Sequence, residues 1–192
     1  MADNRERVQI KLAMQELAKC PTAETYARLR SWFVTCPAYD PYREELRDLE
    51  RLIEVGNVAA AAQALDGALA RLLLSPRAHE LAAQVARSTG DTQRAEREHR
   101  TARACVEGIL ATGDGSRDQP YQVLYAADEQ DVLRFLGLPQ GSQHLHHVGD
   151  LHLDQIKVAV GVEVWFDVTV PYHRQTPASV LEQLEDALRD PE

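Results

Sequence analysis

Five of the seven histidines fall in the last third of the chain: His144, His146, His147, His152 and His173. Gly149-Asp150, set between two alternating segments, reads as a two-residue hairpin turn that pairs Val148 with Leu151 and places His147 across from His152. Cross-strand neighbours have Cβ atoms about 5 Å apart, close enough for two imidazoles to share a metal, and Asp154 follows on the same side. A set of His147, His152 and Asp154 suits zinc or iron, as in a metal-dependent hydrolase or a metal sensor. The competing reading makes them exposed hairpin side chains alternating with Leu145, Leu151 and Leu153, with no fourth ligand or supporting shell in evidence. We favour the latter, and expect no cofactor and no catalytic residue.

Other templates for catalysis are absent. The chain has no Gly-x-Ser-x-Gly elbow, no HExxH, no GxxxxGK[ST] and no GxGxxG, so acyl transfer, zincin chemistry and the common phosphate cradles lack their motifs. Cys20, Cys36 and Cys105 form no CxxC pair, which argues against a disulfide framework or a thiolate zinc site. Asp128, Glu129 and Asp131 read as the acidic first turn of a helix.

Charge supplies the functional direction. Residues 1–118 carry 17 Lys+Arg against 18 Asp+Glu, whereas residues 119–192 carry 4 against 12, so −8 of the net −9 lies in the C-terminal part. Such a surface repels phosphates and attracts basic protein faces. No nucleic acid and no membrane are expected as partners, since no apolar run approaches the roughly 18 residues of a membrane span. The first residues carry mixed charge without an apolar stretch, which gives a cytoplasmic chain as the expectation.

The elements that must position these groups fall into two parts, 1–112 and 113–192. Breaks at Cys20-Pro21, Cys36-Pro37, Gly56-Asn57, Ser75-Pro76 and Gly90-Asp91 predict helices near 4–19, 23–35, 42–55, 57–74, 77–89 and 91–111. Within them Gly56, Asn57, Ala61 and Ala68 recur as Gly90, Asp91, Ala95 and Ala102, each offset by 34 residues. That is the tetratricopeptide period: glycine for the turn, Asn or Asp to cap the second helix, alanine for close helix approach. Thr22 occupies the glycine slot one repeat earlier, so a third repeat lacks support. Arg94, Arg97, Arg100 and Arg103, interleaved with glutamates, read as a salt-bridged solvent face.

Gly113 is expected to cap the last of these helices in a left-handed conformation. Tyr121 to Tyr125 has strand composition and Asp128 to Leu136 reads as a short helix. The period then changes to two, and Gln143–Val148, Leu151–Val158 and Val162–Val170 predict an antiparallel meander. In its last strand Val162, Val164, Phe166, Val168 and Val170 face one way, Glu163, Trp165, Asp167 and Thr169 the other. A closing helix over 177–188 would carry the apolar stripe Val180, Leu181, Leu184 and Leu188, which either completes the chain's own core or joins two copies as a structural homo-oligomer.

The run Ile109-Leu-Ala-Thr-Gly-Asp-Gly-Ser116, then Tyr121-Gln-Val-Leu, Glu129 to Leu138 and Val164-Trp-Phe-Asp-Val-Thr-Val-Pro-Tyr172, with the Tyr39-Asp-Pro-Tyr42 step before them, resembles bacterial proteins of the family called domain of unknown function 4919. The resemblance implies a helical N-terminal part followed by a small sheet and supplies no activity. The expected class is therefore α+β: a tetratricopeptide-like antiparallel helical array, then a small domain with an antiparallel sheet and flanking helices. The expected function is a non-enzymatic protein-binding module, in its most concrete form an immunity or adaptor protein meeting a basic, toxin-like partner. Asp150, Asp154, Glu163, Trp165 and Asp167 are the candidate contact residues.

Overall fold

The computed structural model describes residues 4–36, 39–42 and 45–175. Six helices come first: α1 (Asn4–Lys19), α2 (Ala23–Phe33), α3 (Glu45–Glu54), α4 (Val58–Ala68), α5 (Pro76–Ser88) and α6 (Thr92–Leu110). They are followed by β1 (Tyr121–Gln122), α7 (Asp128–Phe135), β2 (Ser142–Val148), β3 (Leu151–Ala159), β4 (Val162–Asp167) and α8 (Thr169–Gln175). The fold is α+β, as the residue patterns indicate.

The two turns related by 34 residues are built alike. Gly56 and Gly90 take φ of 73° and 80°, the left-handed region that costs a residue with a Cβ about 1–2 kcal/mol. The N–H of the next residue reaches back five positions, Asn57 to the Leu52 carbonyl at 2.8 Å and Asp91 to that of Ala86 at 2.9 Å, closing a Schellman motif. The same residue then starts the following helix: Asn57 accepts from the Ala60 N–H at 3.3 Å and Asp91 from the Arg94 N–H at 2.9 Å. Ala61, Ala68, Ala95 and Ala102 are all buried, as the close approach of α3 to α4 and α5 to α6 requires. Thr22, by contrast, opens α2 with a capping box shared with Thr25. Each arginine of the α6 stripe has an acidic neighbour: Arg94 with Asp66, Arg97 with Glu98, Arg100 with Glu96, Arg103 with Glu107.

The sheet has the order β1-β4-β3-β2. β2, β3 and β4 form the expected antiparallel meander, with His147 opposite His152, but β1 joins β4 in parallel, Tyr121 beside Phe166. The sheet is thus mixed. The strand predicted to run through Val170 stops at Asp167, because the Asp167 carboxylate accepts the Thr169 N–H at 2.9 Å and starts α8. The helix predicted over 57–74 ends at Ala68, after which the chain turns so that Leu72 and Leu74 enter the core. Gly115, not Gly113, has positive φ. Gly113 is needed for space instead, since a Cβ there would meet the Gln119 carbonyl oxygen at 2.3 Å. The predicted closing helix, with Val180, Leu181, Leu184 and Leu188, lies outside the described residues.

One buried cluster runs from the helices into the sheet and includes Tyr26, Phe33, Leu65, Leu81, Ile109, Tyr125, Ile156 and Phe166. Phe33, Tyr39 and Tyr125 meet with ring centroids 5.4–6.0 Å apart, the spacing of edge-to-face and tilted pairs. The Tyr39 hydroxyl donates to the Leu124 carbonyl and the Tyr125 hydroxyl to that of Arg71, so the aromatic contact is pinned at both ends.

Two glycine substitutions should move stability in opposite directions. Gly90→Ala is expected to cost about 1 kcal/mol through its left-handed turn. Gly67→Ala, inside α4 with open space where the Cβ would sit, is expected to gain about 0.5–1 kcal/mol from helix propensity. Urea midpoints measure both, and a gain at Gly90 would remove the turn argument.

Candidate functional site

Asp128 sets the geometry of the site. Its carboxylate is wholly buried and accepts the N–H groups of Leu124 and Tyr125, both at 2.9 Å. This ties the end of the β1 connection to the first turn of α7, directing Tyr125 toward the helices and Glu129 toward the sheet. Burial pushes the Asp128 carboxyl up to about 8, against the pull of the two backbone donors. On another side of α7, Asp131 is pushed up to about 6 by burial while Arg134, 2.7 Å away, opposes the rise.

Between α7, the β2–β3 face, Tyr42 and the start of α8 lies a cavity of about 490 Å³ open to solvent. Its polar residues are Tyr42, Tyr125, Glu129, Gln130, Gln143, Asp154 and Tyr172. Glu129 and Asp154 are buried at 5% and 8% exposure. The Gln143 amide nitrogen donates to both, at 3.1 Å to Glu129 Oε2 and 2.6 Å to Asp154 Oδ2. Burial is the largest cause of a Glu129 value pushed up to about 9, followed by the charge of Asp154 and a hydrogen bond between the two carboxyls. Glu129 therefore keeps its proton at neutral pH, as a buried carboxyl forced beside another acid does. Glu129 Oε1 has no hydrogen-bond partner among the described residues. The Tyr42 phenol, which lines the same cavity, is raised by burial and then by the charges of Asp154 and Glu129.

His147, His152 and His173 stand beside Tyr172 at one edge of this cleft, whereas His146 lies on the opposite face of the sheet against Trp165 and Gln155. His147 Nδ1 and His152 Nδ1 lie 2.8 Å apart, so one ring must carry the proton and the other accept it. The His152 ring stacks on Tyr172 at 3.8 Å, and His173 stands 5.2 Å from it. Burial, then the neighbouring His147 and His173, lower the His152 value. The proposed metal set does not assemble as such: Asp154, two residues further along β3, gives its carboxylate to Gln143 and Glu129 instead of to His147 and His152. Among the described residues no group of three His, Cys, Asp or Glu is arranged to hold a metal ion.

The candidate contact residues divide between surfaces. Asp150 is exposed at the hairpin tip. Asp154 faces the cleft. Glu163, Trp165 and Asp167 are on the opposite face of the sheet, with Trp165 buried under the Arg117 guanidinium, 5.5 Å from its ring centre, and its indole N–H donating to Glu163 at 2.9 Å. Residues unassigned from sequence are Glu129 as a site residue, Gln143, Tyr42, Tyr125 and Tyr172. One signal for the buried acid was present: in β3 the apolar phase changes from Leu151 and Leu153 to Ile156 and Val158, so one of the two phases had to carry Asp154 inward.

Fold and cleft together define an α+β protein whose helical part and sheet enclose an acidic, tyrosine-lined cavity. No protein-family model, curated protein or solved structure matches the chain. Among the described residues no helix is long and apolar enough to cross a membrane.

The pH dependence of stability follows from the Glu129 value. A carboxyl raised from 4.5 to about 9 on folding adds stability that is present below pH 4.5 and lost as pH rises toward 9, at up to about 1.4 kcal/mol per pH unit. Asp128 and Asp131 act in the same direction. Urea titrations from pH 5 to pH 9 should show wild-type stability falling and the Glu129→Gln variant falling less steeply, crossing to the more stable protein at the alkaline end. Parallel profiles would mean that Glu129 ionises normally.

Proposed function

We propose that the chain is a non-enzymatic protein-binding module that captures a basic segment of its partner, with an anchoring Arg or Lys side chain entering the cleft at Glu129 and Asp154. The observation that carries this reading is the carboxyl pair itself: two acids buried in a solvent-open cavity and joined by the Gln143 amide, where a cation would satisfy both. A guanidinium reaching the pair would displace the Glu129 proton to solvent and donate its N–H groups to both carboxylates. Tyr42 and Tyr172 offer ring faces for the same cation, worth about 0.5–2 kcal/mol depending on desolvation. The acidic balance of residues 119–192, 4 Lys+Arg against 12 Asp+Glu, favours a basic partner over an acidic one. An adaptor or immunity role toward a basic, toxin-like partner is the concrete form of the proposal. It is supported by the paired helices at the tetratricopeptide spacing, an architecture that presents binding surfaces in repeat proteins.

Fluorescence anisotropy with a labelled peptide alternating Arg and Ala tests it. Binding is expected at low salt, weakening as ionic strength rises and falling at least tenfold in Asp154→Asn and in Glu129→Gln, while Asp150→Asn at the hairpin tip stays within twofold. Affinity unchanged by either cleft substitution would overturn the proposal.

A further inference from the structure

β2 is the outer strand of the sheet, and β3 is its strand neighbour among the described residues. Its seven residues, Ser-Gln-His-Leu-His-His-Val, are almost all exposed. Natural edge strands of this length are protected against further pairing by lysine, proline, inward charges or bulges. β2 contains no Lys, Arg, Asp, Glu or Pro, and the register shift in this sheet lies between Lys157 and Ala159, on the β3–β4 pairing.

The direction of the free backbone groups follows from the hairpin. The two-residue turn closes on Val148 and Leu151, which form a hydrogen-bonded pair. Bonded pairs alternate along an antiparallel ladder, so Gln143, Leu145 and His147 turn their N–H and C=O groups outward. These three residues also direct their side chains to the cleft face, because Leu145 pairs with Asp154 and His147 with His152. The open edge and the acidic cavity are therefore addressed by the same residues.

We propose that β2 is a docking edge at which an extended, basic segment of the partner adds antiparallel as a further strand, its alternate side chains crossing Leu145 into the cleft. The inference rests on the cation-capturing reading above and specifies how the captured segment is held. In an antiparallel addition, the residue opposite Leu145 both bonds β2 through its backbone and points its side chain over the cleft. From there to β3 is two strand spacings, about 9.5 Å, a gap suited to long Lys or Arg side chains. Leu145, 42% exposed, provides apolar surface for their methylene stems. Charge complementarity selects the occupant: an uncharged strand would gain the backbone bonds and leave Glu129 and Asp154 without a cation.

The test uses a seven-residue labelled peptide alternating Arg with Val and Thr, together with two backbone-methylated forms. Methylation of the Arg amides removes the donors that face β2, whereas methylation of the Val and Thr amides alters groups facing solvent. The first form is expected to bind at least tenfold more weakly and the second within about twofold of the parent, with the parent slowing hydrogen exchange at the Leu145 amide. Equal binding by all three, still lost in Asp154→Asn, would overturn strand addition and leave cation capture standing. Binding unaffected by Asp154→Asn, or no binding by the parent, would overturn both.

Discussion

A carboxylate without access to water, Asp128, holds the connection on which the rest of the molecule depends. By accepting the Leu124 and Tyr125 N–H groups it fixes a turn that would otherwise bury two unpaired donors, each costing about 1–3 kcal/mol. From that turn Tyr125 points into the aromatic contact with Phe33 and Tyr39, joining helices to sheet. One residue after Asp128, on the same helical turn, Glu129 points the other way, onto the sheet. The interface that stabilises the fold and the cavity that gives it chemical character are thus two consequences of one hydrogen-bonded turn.

The cleft is expensive in folding terms, which is why it draws attention as a site. Burying carboxyls raises their protonation values and leaves Glu129 Oε1 in the cleft, like Asp128 Oδ1 and Asp131 Oδ2 elsewhere on α7, without hydrogen-bond partners among the described residues. A sequence optimised for stability alone would place apolar groups of similar size there. A strongly perturbed acid lining a cavity, as Glu129 does, is a candidate functional group. The histidine pair belongs to the same region, since His152 supports the ring of Tyr172 that forms part of the cavity wall.

The local parts of this fold are readable from residue types. Gly56-Asn57 and Gly90-Asp91 announce their turns and caps because φ and side-chain capping are decided within a few residues. The hairpin register follows from Gly149-Asp150 for the same reason, and it puts His147 opposite His152. What local chemistry leaves open is where a segment meets something distant. Val168 and Val170 continue an alternating pattern that predicts more strand, yet Asp167 caps α8 and ends it. Tyr121 and Gln122 have strand composition, but only the position of β4 makes their pairing parallel.

The same division separates the two readings of Asp154. Sequence alone determined the α+β class, the repeated helix pairs, the meander and the concentration of negative charge, all of which rest on periodicity and composition. Tertiary structure alone decided which phase of β3 faces the core, and with it that Asp154 meets Glu129 and Gln143 instead of completing a metal set with His147 and His152. The physical reason is that protonation and partner choice depend on burial and on charges brought together across 25 residues of chain between Glu129 and Asp154, a proximity that no local pattern encodes.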